Sequence, residues 1–437
     1  MLLRTRSFEE TVMTQAAWWR EPTKPQWISF TAAWLGWVLD AFDFTIFLLV
    51  MPEIAKEFGV AHSSTAGAIT LTLLVRLAGG YCAGLAADRW GRKLPLMFSL
   101  LWFAVMDGSI AFAGSFTTVL VLRTLFGFGM GAEWTAGTTL AMENWPQRSR
   151  GIASGVLQGS WAVGYLIAGL VAGWVVPIWG WRALFIIAAV PALLVLPIRM
   201  WVPESEEWEA RKKQDQAEHK ATVPVLQKAM MPRLIWASLV MAFGFGSYYG
   251  LTGLHATMLK TQLSLDGAAV GTIVALFNIG MMVGAIACGV TASKKSVVMA
   301  VTVPAILVLP ALPLYVGMVP GLLGVGAFLG GALGAGYSGV TPLLLTSLFP
   351  AELRARAVGL VYHVGAFGAA FVPMGMAAFA ETRGTGLGQT IALAVGISQL
   401  GLAALMIFRP KAMASLGSSE GTTGAMMASP STATEAH

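Results

Sequence analysis

Residues 84–93 read Gly84-Leu85-Ala86-Ala87-Asp88-Arg89-Trp90-Gly91-Arg92-Lys93, a short charged string between two apolar runs, 64–86 and 95–112. The string predicts a tight turn whose Asp88 can face a neighbouring helix N-terminus while the basic residues remain in the cytoplasm. Working outward, apolar runs of about 20 residues, enough to cross ~30 Å of hydrocarbon, follow one another from Trp27 to Phe408. The 437 residues are 56% hydrophobic and 11% charged with a mean hydropathy of +0.70, far from a soluble domain with about a quarter of its residues charged. Helices are predicted near 27–51, 64–86, 95–112, 117–141, 151–174, 182–202, 232–254, 268–290, 297–316, 321–345, 355–380 and 387–408. The fold class is therefore an all-α membrane protein of about twelve transmembrane helices.

The net charge of +6 and pI near 9.4 do not imply nucleic acid, because the basic residues form no single patch. They fall in alternate loops. With the N-terminus inside, the outer segments hold only Lys56, Arg182, Lys260 and Arg383, the positive-inside asymmetry of one orientation. Both termini are expected in the cytoplasm and the chain in the cell inner membrane. Cys82 and Cys288 both lie in apolar segments, which argues against a disulfide framework or a metal cluster. No short apolar stretch with a cleavage site precedes Trp27, so the first helix is expected to be retained.

Between Pro203 and Pro232 the chain turns polar, with Glu204, Glu206, Glu207, Glu209 and the run Arg211-Lys212-Lys213. The expected organisation is a cytoplasmic N-terminal segment 1–26, a six-helix half 27–202, a cytoplasmic linker 203–231, a second six-helix half 232–408, and a disordered cytoplasmic tail 409–437 rich in Ser, Thr, Gly and Ala.

The string from Gly84 to Lys93 is similar to the loop signature of the major facilitator superfamily, and Arg123 followed by Gly127, Gly129 and Gly131 is similar to a second pattern of that superfamily. The resemblance implies two six-helix halves that rock around a central cavity. Trp34-Leu35-Gly36-Trp37-Val38-Leu39-Asp40-Ala41-Phe42-Asp43-Phe44, Gly131-Ala132-Glu133, Glu143-Asn144-Trp145-Pro146, Trp179-Gly180-Trp181-Arg182 and Pro203-Glu204-Ser205-Glu206-Glu207-Trp208 resemble the sialate:proton symporter family, which includes sialic acid and lactate/pyruvate transporters. Three departures stand out. Gly289-Val290-Thr291-Ala292-Ser293-Lys294-Lys295 lacks the acid that a second loop motif would carry. The helix-seven end, Tyr248 to Thr257, lacks the polar residues of the lactate members and the Trp-Pro of the sialate members. His363 stands where a sialate member would have Asn.

An ionisable side chain inside a membrane helix costs a few kcal/mol unless paired or wet, so each is a functional suspect. Asp40 and Arg76 fall at mid-membrane; Asp43, Asp107 and Arg123 lie nearer the outside, and Glu133 deeper. Three residues apart, Asp40 and Asp43 can share one helix face and look into a common cavity. Arg76 is the expected anion site, since its guanidinium stays charged and grips a carboxylate through two parallel hydrogen bonds. A purely structural ion pair with Asp40 is the alternative. Arg123 with Asp107 reads as a structural pair that could also gate the outer mouth. Asp40, Asp43 and Glu133 are the candidate proton carriers, because burial disfavours the ionised form of a carboxylate. The gating or structural set comprises Asp88, Arg89, Arg92, Asp107 and Arg123.

The C-terminal half offers polar handles, of which Asn278, Tyr248 and His363 join Asp40 and Arg76 as expected substrate contacts; Tyr249, His255, Tyr337 and Tyr362 read more readily as helix packing. The glycine strings 127–131 and 330–336 suit close helix packing and do not follow a strand as a nucleotide loop would. The expected function is proton-coupled symport, by alternating access, of a small organic anion, a monocarboxylate such as sialic acid or a lactate-like acid. A facilitator for an aromatic acid or a sugar, and a non-transporting membrane sensor, are the alternatives. No nucleophile, metal cluster or cofactor loop has convincing spacing, so neither enzyme nor cofactor is expected. The partners expected are the substrate anion, protons and the lipid bilayer, with a monomer as the working unit and no nucleic acid.

Overall fold

A computed structural model describes residues 17–410 and 413, less 61, 201, 219–223 and 320. The expectations for residues 1–16 and for all of the tail beyond residue 410 except Met413 lie outside the described residues. Among those described there are helices and no strands, and ten helical stretches are long and apolar enough to cross a membrane. In lipid this follows from backbone chemistry, since a helix satisfies its own N–H and C=O groups without water.

The elements are α1 (Lys24–Phe58), α2 (His62–Trp90), α3 (Lys93–Ile110) and α4 (Phe116–Asn144). The stretch Arg150–Met200 is broken at Gly180, whose φ of 76° is outside helical space, into α5 (150–179) and α6 (181–200). The arms run in opposite directions. Arg150 donates to the Trp145 carbonyl, Arg182 reaches the Ala113 carbonyl at the other end, and Lys93 bonds the Met200 carbonyl back at the first. α7 (Glu206–Glu218) follows, a polar helix within 203–231 where only a linker is predicted.

The second half holds α8 (Met231–Thr252), α9 (His255–Thr261), α10 (Gly267–Lys294), α11 (Val297–Leu307), α12 (Leu312–Tyr315), α13 (Leu323–Leu329), α14 (Thr341–Leu348), α15 (Arg354–Ala369), α16 (Val372–Arg383) and α17 (Leu387–Ile407). Several predicted single spans are composite. The span near 297–316 is interrupted after Leu307 by Pro310 and Pro313, which lack the N–H a continuous helix requires. The span near 321–345 contains a π turn, Gly330–Ala335, and a 3₁₀ turn, Gly336–Val340, between α13 and α14. Pro373 just inside α16 accompanies the break after α15. Local signals set other boundaries: Ser115, Asp266 and Ser296 accept backbone N–H groups at the starts of α4, α10 and α11.

Small residues bring the helices together. A Cβ on Gly79, Gly127 or Gly131 would fall 2.0–2.2 Å from a carbonyl oxygen of the partner between α2 and α4, and the same holds for Gly280, Gly284 and Gly331 between α10 and the π-turn span. Both glycine strings therefore serve close packing. Across the two halves, Gly151 and Gly155 of α5 meet Gly289 and Ala285 of α10, while Gly80 and Gly84 of α2 meet His363 and Arg356 of α15.

These inter-half contacts lie toward the end of the bundle that carries α7. Ion pairs reinforce that end: Arg356 Nε donates to Asp88 Oδ2 at 2.6 Å, and Arg354 Nη1 bonds both Glu143 Oε1, at 3.1 Å, and Glu207 Oε2, at 2.7 Å. Glu143 also accepts from Arg92 Nε and Nη2 and from Ser205 Oγ. Arg92 is fully buried in this network, whereas Arg89 is exposed. Asp88 lies on the last turn of α2, and the reversal falls at Gly91, with φ 99°. The Glu204 carboxylate accepts the backbone N–H groups of Arg92 and Lys93 and so caps α3. Where the loop after α10 lacks an acid, Ser293 Oγ accepts the Ile152 N–H.

Gly289→Val places a branched side chain against the Gly151 carbonyl, which a Cβ alone would approach to 2.4 Å. Overpacking of about 1–3 kcal/mol should shift the population away from closure at this end by roughly 5- to 150-fold. Thiol labelling of Ser154→Cys, a position with 0% exposure, should accelerate accordingly; an unchanged labelling rate would mean the two halves do not part here.

Candidate functional site

The contact layers locate the cavity. On α2, Gly84 and Gly80 touch the second half, and Arg76 begins the cavity wall one turn further on; on α10 the order is Gly289, Ala285, then Met281. The cavity encloses about 600 Å³, its solvent-open mouth included. Its wall is mostly aromatic and thioether: Trp37 and Phe44 of α1, Trp161 of α5, Phe245, Tyr248 and Tyr249 of α8, Tyr362 of α15, with Met130, Met241 and Met281. The polar members are Arg76, Gln158, Tyr337, Ser338 and Thr341 and the tyrosine hydroxyls.

Arg76 is 3% exposed, and its Nε and Nη2 have no hydrogen-bond partner among the described residues. Its guanidinium carbon lies 5.8 Å from the Trp37 ring and 5.6 Å from the Tyr362 ring, one ring from each half. Such cation–π contacts supply about 0.5–2 kcal/mol, and they leave the N–H edge for an acceptor. Trp37 Nε1 is likewise buried without a partner. Trp161 Nε1 donates to the Tyr248 hydroxyl at 3.1 Å, joining the halves on another side of the cavity, and Trp134 stacks on Tyr362 with 3.4 Å between ring centroids.

Asp40 is fully buried and neither carboxylate oxygen has a hydrogen-bond partner among the described residues. The direct Asp40–Arg76 ion pair that the sequence leaves open is therefore not formed, although Arg76 is the strongest charge acting on Asp40. Asp40 and Asp43 do not look into a common cavity as expected. Trp37 and Phe44, seven residues apart, occupy the cavity stripe of α1, and the two acids are covered. Asp43 sits beside Asp107 and Arg123, with Arg123 Nη1 donating to the Asp43 carbonyl at 3.3 Å and to Asp107 Oδ1 at 3.0 Å. The Arg123 guanidinium also rests on the rings of Phe47 and Phe126 at 4.5 and 4.2 Å. Glu133 Oε2 accepts the Ser99 hydroxyl at 2.6 Å and is no part of the wall.

Tyr248 lines the cavity, whereas Asn278 and His363 do not. Asn278 donates to the Val274 carbonyl of its own helix, 2.9 Å, which uses its amide locally. His363 fills the α2–α4–α15 junction, with Nε2 3.3 Å from the Gly131 carbonyl oxygen and 3.5 Å from Thr135 Oγ1. Tyr249, Tyr337 and Tyr362, read as packing from the sequence, are cavity residues. Gln158, Ser338 and Thr341 line the cavity without a charge to mark them in the sequence; for Gln158 the signal is a lone amide in the apolar run 151–174. Among the described residues no group of three or more His, Cys, Asp or Glu could hold a metal.

A helical bundle with inter-half ion pairs at one end and a cavity near its middle is the architecture of a membrane transporter. The family model of the Major Facilitator Superfamily matches residues 33–373, and the chain belongs to that superfamily; it is a multi-pass membrane transporter and not an enzyme. It is similar to the sialic acid transporter NanX of Escherichia coli (strain K12), 29% identical over 361 residues, 82% of this chain and 88% of that one. A cis,cis-muconate transport protein of Acinetobacter baylyi (strain ATCC 33305 / BD413 / ADP1) is 29% identical over 370 residues, 83% and 89% of the two chains. The proton:xylose symporter XylE bound to 6-bromo-6-deoxy-D-glucose superposes with a TM-score of 0.74 over 91% of this chain and 98% of that one; at 17% identity this likeness shows the fold alone.

Removing one member of a buried ion pair strands the other, at a cost of about 3–5 kcal/mol. Arg123→Met should lower the detergent melting stability by that order, and adding Asp107→Leu should restore part of it. A double variant as unstable as the two single losses combined would count against the pair as a unit.

Proposed function

We propose that the chain is a proton-coupled symporter of a small organic monocarboxylate with an apolar, unsaturated or aromatic body. The carrying observation is Arg76: a guanidinium with two nitrogens, Nε and Nη2, unpartnered among the described residues and set into an aromatic wall. One permanent cation suits one carboxylate, held bidentately. The rings and methionines suit a planar apolar body better than a polyol, which would require more hydrogen-bonding groups than Gln158, Ser338, Thr341 and the tyrosines offer. The names of the relatives, for sialic acid and cis,cis-muconate, are those of acid carriers and support an anion over a neutral sugar.

The α7 end is assigned to the cytoplasm, with both termini inside, on the loop charge asymmetry. The cavity then addresses the outside and the Asp88–Arg356 and Glu143–Arg354 pairs close the inner side. In the proposed cycle the substrate carboxylate docks on Arg76 and a proton is taken up at Asp40. The two events are linked because both act on the same local charge. Neutralisation lets the cavity close outward, the inner ion pairs part, and the acid and proton leave to the cytoplasm. Asp43, beside the Asp107–Arg123 pair, is the second proton candidate, and Glu133 the third.

The test is uptake into proteoliposomes of benzoate, cis,cis-muconate, sialic acid and lactate, with and without an inward proton gradient. Proton-stimulated uptake of a monocarboxylate is expected. Arg76→Lys, which loses the fork of donors, should raise the KM by roughly 10- to 100-fold, the worth of about 1.5–3 kcal/mol for a charged hydrogen bond. No uptake of any acid by folded protein would overturn the reading. Separately, Asp40→Asn should retain substrate exchange between equal acid pools on the two sides while losing gradient-driven accumulation; accumulation by that variant would remove Asp40 from proton coupling.

A further inference from the structure

Hydroxyl side chains in these helices commonly bond the carbonyl one turn back: Thr45 to Ala41, Thr72 to Ala68, Thr135 to Gly131, Thr252 to Tyr248 and Thr346 to Pro342. Ser338 does not. Its Oγ is buried and has no hydrogen-bond partner among the described residues, as is also true of Thr302, which is no part of the cavity wall. The carbonyl four residues before Ser338 is that of Gly334, in the π turn. That oxygen already accepts Gln399 Nε2 at 2.7 Å and Ser247 Oγ at 3.1 Å, and Gln399 Nε2 in turn lies 2.6 Å from Ser247 Oγ. The residues that stabilise the π turn thus occupy the acceptor a helical serine would use, and Ser338 lies on the cavity wall with its hydroxyl uncommitted.

Gln158, from the other half, lines the same cavity; its Oε1 accepts the Trp134 indole N–H at 3.3 Å, which fixes the amide orientation. We infer that Ser338 is a specificity-determining residue that hydrogen-bonds a hydroxyl or carbonyl group on the body of the substrate, additional to its carboxylate, with Ser247 and Gln399 as positioning residues that keep it free. This rests on the carboxylate reading of the cavity and deepens it: the favoured acid carries a second hydrogen-bonding group. The rigid apolar wall makes the discrimination effective, because a substrate polar group buried there without Ser338 would be left unpaired.

The experiment measures KM for benzoate, 3-hydroxybenzoate and 4-hydroxybenzoate in proteoliposomes with the full chain, for wild type, Ser338→Ala, Ser338→Cys and Ser338→Thr. Wild type should favour at least one hydroxylated acid. Ser338→Ala should reduce that preference, read as the ratio of KM values for the hydroxylated acid and benzoate, about 3- to 10-fold, the span of one neutral hydrogen bond. Ser338→Thr should preserve the preference, and Ser338→Cys, near in size with a weak donor, should lose most of it and serves if the alanine variant does not fold. Transport of none of the acids would overturn both this inference and the carboxylate reading. Transport with equal KM for benzoate and its hydroxy derivatives, or a preference that survives both Ser338→Ala and Ser338→Cys, would overturn the role of Ser338 alone.

Discussion

The Arg76 charge cannot be titrated away, and burial of an ion without a counter-ion costs several kcal/mol after relaxation. Among the other buried arginines, Arg92 and Arg354 hold Glu143, Arg123 holds Asp107, and Arg356 holds Asp88, at 2.6 to 3.1 Å, while Arg150 donates to the Trp145 carbonyl. Arg76 has the Trp37 and Tyr362 side chains and the more distant field of Asp40, and its Nε and Nη2 have no partner among the described residues. Its environment is therefore less fully compensated than those of the ion-paired arginines. The aromatic wall, the covered acid on α1 and the small residues that admit α4 and α15 close to α2 are all arranged around that cation.

The inter-half contacts at the α7 end have a different balance. For an ion pair lifted from water the desolvation penalty roughly offsets the Coulomb attraction, so Asp88–Arg356 and Glu143–Arg354 specify register more than they contribute to stability. Between them lie glycine and alanine surfaces of α2, α5, α10 and α15, whose separation exposes little apolar area per residue. Such an interface can hold the halves in one alignment and still part at modest cost. Glu143 sets that alignment by accepting from α3, α15 and the linker at once, which ties the linker to the closed arrangement.

The membrane fold was legible because ~20-residue apolar runs admit few alternatives once the backbone must satisfy itself. The loop string, the Arg123–Asp107 pairing and the importance of Arg76 as a lone mid-membrane cation were legible for the same reason: charge in lipid is rare enough to identify itself. The cavity wall was not. Trp37, Trp161, Tyr249, Tyr337 and Tyr362 are indistinguishable by residue type from packing aromatics, and only the third dimension separates a ring facing a cavity from one facing a neighbour. Asn278 and His363 misled for the converse reason, since a polar side chain in a membrane helix can be satisfied by a carbonyl of its own or the adjacent helix, as both are here. Ser338 was invisible because its freedom depends on Gln399 and Ser247, residues 61 and 91 positions away by subtraction of their numbers.

The two halves also divide the chemistry. Asp40, Asp43, Arg76, Asp107, Arg123 and Glu133, buried carboxyl and guanidinium residues around and beside the cavity, belong to the first half, whereas the second contributes Tyr248, Tyr249, Tyr337, Tyr362 and Ser338. A rocking motion that carries neutral rings and hydroxyls past a fixed charged surface leaves the spacing of the charges unchanged, so Coulomb energy within the first half is nearly constant through the cycle. What changes is solvent access to Arg76 and to Asp40 behind the Trp37–Phe44 stripe. In the proposed mechanism that access is where the energetic control resides: a docked carboxylate and a proton each reduce the local charge imbalance, and the neutral second half can then cover the site without burying an uncompensated ion.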